Sequence, residues 1–266
     1  MISTFDMFKI GVGPSSSHTV GPMNAGKSFI DELEKSGALS QITGLTVDLY
    51  GSLSLTGKGH ATDVAVIMGL AGNRPDSVDI DAIPAFIRAV QRSGRLPVAQ
   101  GAAVVPFSVN DDVVFHDETL PRHENGMRFT ARHGDQILLS KTYYSVGGGF
   151  IVEEEKFGQA HDIEQPVPFP FRSASELVKQ CTDNGLSISG LMMQNELALR
   201  SREEIDTGFA RIWHVMRTGI ERGMNTEGVL PGPMNVPRRA VALRRFLVSS
   251  DSTSSDPMNV IDWINM

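Results

Sequence analysis

The hydrophobic period changes between Val104 and Phe150, and this change restricts the fold more than any other feature of the sequence. Short apolar stretches occur there at Val104-Val105-Pro106-Phe107, Val113-Val114-Phe115-His116, Met127-Arg128-Phe129-Thr130-Ala131 and Ile137-Leu138-Leu139-Ser140-Lys141-Thr142-Tyr143-Tyr144. Between them lie Asn110-Asp111-Asp112, Glu124-Asn125-Gly126 and His133-Gly134-Asp135. β-Branched and aromatic side chains suit a pleated, half-buried surface, and Asn, Asp and Gly supply the turns between strands. The segment predicts a mostly antiparallel sheet, with Glu124-Asn125-Gly126 as a hairpin turn.

The flanks carry a different pattern. After a turn-rich loop over Gly11 to Ser17, apolar residues recur at near-helical spacing from Thr19 to Leu33, with Pro22 in the first turn and Gly37 as a stop. Leu45 to Tyr50 alternates as a strand and runs into the loop Gly51 to His60. A buried helix over Val64 to Leu70 follows, started by Thr62 or Asp63, and then a helix over Ile83 to Val90 with Ser93-Gly94 behind it. From Glu153 to Phe171 the chain is polar and broken by Pro166, Pro168 and Pro170, which reads as an extended connector. Helices are then expected from Ser173 or Ser175 to Cys181, from Ser187 to Leu199 and from Arg202 to Gly223, with a basic amphipathic segment over Val236 to Val248. After a serine-rich tract at 249–255, a last helix is expected from Asp256-Pro257 to Met266. The fold class is therefore α+β. An N-terminal sandwich-like domain over residues 1–165 precedes a connector and an incomplete helical domain over 166–266.

Several function classes are excluded. The formal net charge is −7, and the longest basic groupings are Arg238-Arg239 and Arg244-Arg245, so no basic face exists for nucleic acid. No stretch approaches the roughly 20 apolar residues of a membrane span, and no secretory leader is recognisable, which makes the cytoplasm the default compartment. Cys181 is the single cysteine, so an intrachain disulfide is impossible and no thiolate cluster can be completed from within the chain.

Gly21-Pro22-Met23-Asn24-Ala25-Gly26-Lys27-Ser28 spells a phosphate loop, but no strand precedes it and the helix already contains Gly26. Close packing at Gly26, with Lys27 facing solvent, accounts for the pattern better than nucleotide binding. Gly13-Pro14-Ser15-Ser16-Ser17-His18-Thr19-Val20-Gly21-Pro22 is less ordinary. Its successive hydroxyls before a histidine either bind a substrate carboxylate or cap the following helix. In Gly51-Ser52-Leu53-Ser54-Leu55-Thr56-Gly57-Lys58-Gly59-His60, the glycines permit tight turns. There His60 is a feasible general base and Lys58 an attractor of anions; the alternative is a turn with a surface histidine. His123 sits in the turn before Asn125-Gly126, and Val146-Gly147-Gly148-Gly149-Phe150 either approaches a ligand by its backbone or ends a strand. His116, His133, His161 and His214 form no metal-binding spacing, and no metal site is expected.

These same segments resemble the iron–sulfur L-serine ammonia-lyases, also called L-serine dehydratases. The matching text includes Phe5 to Thr19, Tyr50 to His60, His123-Glu124-Asn125-Gly126-Met127, Tyr144 to Phe150, Gly190-Leu191-Met192-Met193, Glu227 to Gly232 and Val236-Pro237-Arg238-Arg239-Ala240. The resemblance implies conversion of L-serine to pyruvate and ammonia by α,β-elimination, as in amino-acid catabolism and gluconeogenesis. A [4Fe–4S] cluster would act as Lewis acid on the substrate hydroxyl. It implies His60 as proton-abstracting base, His18 and His123 as further catalytic residues, and Ser15, Ser16, Ser17, Thr19, Ser52 and Lys58 as substrate-binding residues. It also implies a homodimer and cluster cysteines in polypeptide beyond Met266, so that this chain alone is inactive and leaves apolar helical faces exposed. The rival expectation is a non-catalytic binding or regulatory subunit of a two-subunit serine dehydratase.

Overall fold

A computed structural model describes residues 3–158, 166–230 and 235–249. The chain forms two compact units, residues 6–163 and residues 1–5 together with 164–266. A short helix, α1, covers Thr4–Met7.

The first unit is α+β. Its helices are α2 (Gly21–Lys35), α3 (Ser52–Leu55), α4 (Thr62–Leu70) and α5 (Ile83–Ser93). The main sheet has the order β4 (Val113–Phe115), β1 (Gly44–Leu49), β5 (Gly126–His133), β6 (Gln136–Gly147), β7 (Phe150–Glu153), antiparallel except for the β1–β4 pair. β2 (Arg95–Val98) and β3 (Ala103–Pro106) form a separate hairpin. Alternation decides which residues enter the core: Leu45, Val47 and Leu49 of β1 and Met127, Phe129 and Ala131 of β5 are all buried. Against them α2 lays Met23, Phe29, Ile30 and Leu33, and Phe29 stacks on Phe129 with ring centroids 5.5 Å apart.

The backbones of α2 and α4 nearly touch. A Cβ on Gly26 would lie 2.8 Å from the Val66 carbonyl oxygen, and one on Gly69 would lie 2.3 Å from that of Met23. Gly26 is thus a packing residue, and the phosphate-loop spelling lies inside a helix whose N–H groups are engaged. Lys27 does not simply face solvent, because it is partly buried and pairs with Asp31 one turn on.

Several local expectations are corrected. β4 and β5 are not a hairpin: β4 lies parallel to β1 on its other side, and Asn125-Gly126 leads into β5 rather than turning between paired strands. β2 carries Pro97 and β7 follows three glycines, features that argue against strands in the sequence; both are short edge or hairpin strands, where Pro and Gly are tolerated. The stretch from Gly51 to His60 is not irregular loop but α3 followed by a 3₁₀ turn over Gly57–His60. α4 does start at Thr62, as expected; the residue before it, Ala61, is left-handed, and the Asp63 carboxylate accepts from the Val64 N–H at 2.9 Å.

In the second unit, α6 (Ala174–Asn184) is capped by Ser173, not Ser175, and α7 (Ile188–Leu199) by Ser187. α8 (Arg202–Asn225) opens on a Ser201/Glu204 capping box. α9 (Ala240–Ser249) begins later than the basic pattern suggests, because Pro237 keeps the preceding chain extended and bridged to Val229. The buried Glu196 carboxylate of α7 accepts from Ser3 Oγ, the Thr4 N–H and Arg200 Nη1. Trp213, Met216 and Ile220 share one face of α8 and are 59%, 49% and 53% exposed. The expected helix over 256–266, most of the serine-rich tract and the expected boundary at 165 lie outside the described residues. Among the described residues, no helix is long and apolar enough to cross a membrane.

Candidate functional site

The Ser15–Val20 segment and the Ser52–Thr62 segment, far apart in sequence, are sewn together by two buried threonines. Thr19 Oγ1 donates to the carbonyl of His60 at 2.9 Å, and Thr62 Oγ1 donates to the carbonyl of His18 at 2.7 Å. Each threonine fixes the backbone of the histidine on the other loop. The imidazoles of His18 and His60 consequently stand with ring centroids 4.8 Å apart.

Ser16–Val20 form one π-helical turn ahead of α2, with Ser15 as its cap: Ser15 Oγ accepts from the His18 N–H at 3.2 Å. Both ring nitrogens of His18 meet hydroxyls, Nδ1 that of Ser17 at 2.8 Å and Nε2 that of Ser52 at 3.0 Å. Of the two alternatives, capping is what Ser15 does, while the hydroxyls of Ser17 and Ser52 bracket the His18 ring. Ser16 is exposed at the start of the turn. Burial holds the His18 pKa below its ordinary value, and the neighbouring His60 adds to the effect.

On the second loop, His60 Nδ1 lies 2.9 Å from the Thr56 carbonyl oxygen. Lys58 is exposed, and its ammonium sits 5.3 Å from the centre of the Phe115 ring. No hydrogen bond joins it to the hydroxyls around His18 among the described residues.

His123 belongs to a third segment joined to the second through its backbone. The Ser52 N–H donates to the Glu124 carbonyl at 2.9 Å, and a Cβ on Gly51 would lie 2.3 Å from that same oxygen. Gly51 is also held at φ +55, ψ −128, so glycine is required there twice over. The Asn125 N–H donates to His123 Nδ1 at 3.0 Å. Gly147, Gly148 and Gly149 all have positive φ in the β6–β7 turn, and the Gly149 carbonyl accepts from Asn24 Nδ2 at 3.0 Å. Thr62, Asn125 and Ser145 are the residues of this region that sequence reasoning missed. Two of them read only as a helix start and a turn, and Ser145 as the end of a strand.

Among the remaining histidines, His116 Nε2 is paired with Asp48 at 2.7 Å and its ring stacks on Tyr50, while His133 Nδ1 contacts the Gln41 carbonyl. Among the described residues no group of three or more His, Cys, Asp or Glu side chains could hold a metal ion. Cys181 is buried in α6.

Residues 3–156 match the family model of the serine dehydratase beta chain. Over all 266 residues the chain is 75% identical to L-serine dehydratase TdcG of Escherichia coli (strain K12), and it covers 59% of that protein. It is 63% identical to L-serine dehydratase 1 of the same organism and 51% identical to the L-serine dehydratase of Haemophilus influenzae, again covering 59% of each. The chain thus spans somewhat under two thirds of the length of these relatives. With more than half of its residues inside that family model and these identities running along its whole length, the chain belongs to the serine dehydratase beta chain family.

Proposed function

We propose that the chain supplies the proton-abstracting and substrate-holding part of an L-serine ammonia-lyase, acting within a longer protein of the kind its relatives represent. The observation that carries this reading is the state of His60. A carbonyl oxygen only accepts, so the 2.9 Å contact to Thr56 places a proton on Nδ1, and in the neutral ring the lone pair is then on Nε2. A neutral imidazole with its outer nitrogen free is what removal of the serine α-proton needs. Burial favours the neutral form of His18, whose ring centroid stands 4.8 Å from that of His60.

The substrate carboxylate is assigned to the hydroxyls of Ser15 and Ser16 and to whichever of Ser17 and Ser52 accepts from His18, because the neutral ring takes the proton of the other; Lys58 contributes long-range attraction. Thr19 acts differently, since its proton is committed to the His60 carbonyl and it orients the base rather than the substrate.

Departure of hydroxide from serine needs an electrophile, which in the iron–sulfur enzymes the cluster supplies. These residues do not fit such a cluster. A four-iron centre takes several thiolates, and this chain has only Cys181, buried within α6. The thiolates would come from polypeptide outside these 266 residues, and the isolated chain is accordingly inactive.

The test is pyruvate release from L-serine by the longer protein, handled anaerobically. His60→Asn should lower kcat by about 100-fold or more, in the range that loss of a general base produces, with visible cluster absorbance unchanged. Turnover within twofold of the parent would remove His60 from the base role. Pyruvate release by the 266-residue chain alone, after iron–sulfur reconstitution, would refute its inactivity.

A further inference from the structure

The turn carrying His123 is anchored by a polar pair in an unexpected place. β5 and β6 send Met127 and Tyr143 into the apolar core, and two residues further toward the candidate site stand Asn125 and Ser145. Alternation puts these two on the same face as the core residues, opposite each other. The Ser145 N–H donates to the Asn125 carbonyl at 3.0 Å, and Asn125 Nδ2 donates to the Ser145 carbonyl at 3.2 Å. Asn125 is 6% exposed and Ser145 fully buried. Yet Asn125 Oδ1 and Ser145 Oγ have no protein partner among the described residues. Two such orphaned groups cost stability, and apolar residues of similar size would avoid the cost. A stability cost of this kind is what residues set to position a neighbouring group can carry.

Here the neighbouring group is His123. With its side chain and carbonyl both bonded to Ser145, Asn125 is held in place, and its N–H donates to His123 Nδ1. A backbone N–H only donates, so Nδ1 carries the lone pair and the ring proton of neutral His123 is on Nε2. His60 is held the other way round, with its proton on Nδ1. We propose that Asn125 and Ser145 are positioning residues that fix His123 as a hydrogen-bond donor, opposite in polarity to the acceptor His60. The adjoining loops then present one proton acceptor and one donor. The donor is suited to an oxygen of a 2-amino-3-hydroxy acid.

The inference deepens the lyase reading, but its first test does not depend on activity. Nitrogen-15 spectra of the imidazoles in the 266-residue chain should show His123 as the Nε2–H tautomer and His60 as the Nδ1–H tautomer. Asn125→Ala should drive His123 toward a tautomer mixture while leaving His60 unchanged. The second test uses the longer protein and the fact that a glutamine amide nitrogen overlays the histidine Nε2 position. His123→Gln, which keeps a donor there, should lose less than about tenfold in kcat/KM, whereas His123→Ala should lose about 100-fold. His60→Gln, which offers no base, should be as inactive as His60→Ala. A parent spectrum with His123 protonated on Nδ1, or a His123→Gln variant no better than His123→Ala, would overturn the proposal. Absence of serine turnover in the unaltered longer protein would instead refute the lyase reading, and the nitrogen spectra would still decide this one.

Discussion

Substituting alanine for Gly51 tests whether the three loop segments are held together as described. The residue sits at φ +55, ψ −128, a conformation open to glycine and strained for any L side chain by about 1–3 kcal/mol. The new Cβ would meet the Glu124 carbonyl oxygen at 2.3 Å, so that carbonyl must move. Its bond from the Ser52 N–H, 2.9 Å in the native chain, is then lost at a further cost of about 1 kcal/mol. Together these come to about 2–4 kcal/mol. Gly37→Ala is the control: its φ is also positive, at +71, but nothing lies within 4 Å of a Cβ there, so only the left-handed penalty of about 1 kcal/mol applies. Both tryptophans, Trp213 and Trp263, lie outside the first unit, so indole fluorescence would miss this unfolding. Hydrogen exchange of β1 and β5 through a urea series reads it directly. Gly51→Ala should cost at least about 1 kcal/mol more than Gly37→Ala, and the excess follows from the clash. Equal losses would mean that the Glu124 carbonyl does not press on Gly51, and the joining of His123's segment to the second loop would have to be abandoned.

Other perturbations probe separate parts of the molecule. Gly69→Ala places a Cβ 2.3 Å from the Met23 carbonyl oxygen, so α2 and α4 must separate; a loss of about 1–3 kcal/mol in the same exchange experiment is expected, and no loss would contradict the close crossing. Arg200→Met leaves the 1%-exposed Glu196 carboxylate without its cation and should destabilise the second unit by about 3 kcal/mol, read from Trp213 fluorescence; a neutral result would show that Ser3 and the Thr4 N–H suffice. Because the folded pKa of His18 lies below its ordinary value, the unfolded chain binds more protons in the window just below pH 6.5. Stability from this group is therefore complete above that window and declines as pH falls through it. His18→Gln should flatten the decline, and an unchanged slope would assign the acid sensitivity elsewhere.

Much of the fold was legible because one face of each element is buried. Alternation in Leu45 to Leu49, and the 3.6-residue spacing of Met23, Phe29, Ile30 and Leu33, are local patterns that survive into the structure; in β5 Met127, Phe129 and Ala131 face the core, and Thr130 between them is buried as well. Helix starts with a capping serine were legible too: Ser187 opens α7 as expected, and of the two serines the sequence offered for α6, Ser173 is the cap. Pairing was not. β4 lies parallel to β1 across a long connection, and nothing within Val113-Val114-Phe115 distinguishes that partner from its neighbour in sequence. β2 and β7 went unseen because Pro97 and the Gly147–Gly149 run are breakers in an isolated segment and harmless at a hairpin or an edge.

The candidate site divides along the same line. His18, His60, Ser17 and Ser52 stand out by residue type, and each loop announces itself by its glycines and hydroxyls. What sequence spacing could not supply is their meeting, because it depends on Thr19 and Thr62 exchanging bonds with backbone carbonyls 41 and 44 residues away. A threonine beside a helix start is explained well enough as a cap, so its longer-range use leaves no local trace. The polarity of the imidazoles is hidden for the same reason. It is set by one carbonyl at Thr56, a group every residue carries, and one N–H at Asn125, which every residue but proline carries, and only the folded backbone says which of them faces a ring. If opposite ring polarity is what this site needs, substitutions at Thr56 should be tolerated so long as its carbonyl stays in place, whereas at Asn125 the side chain itself is required to aim the N–H.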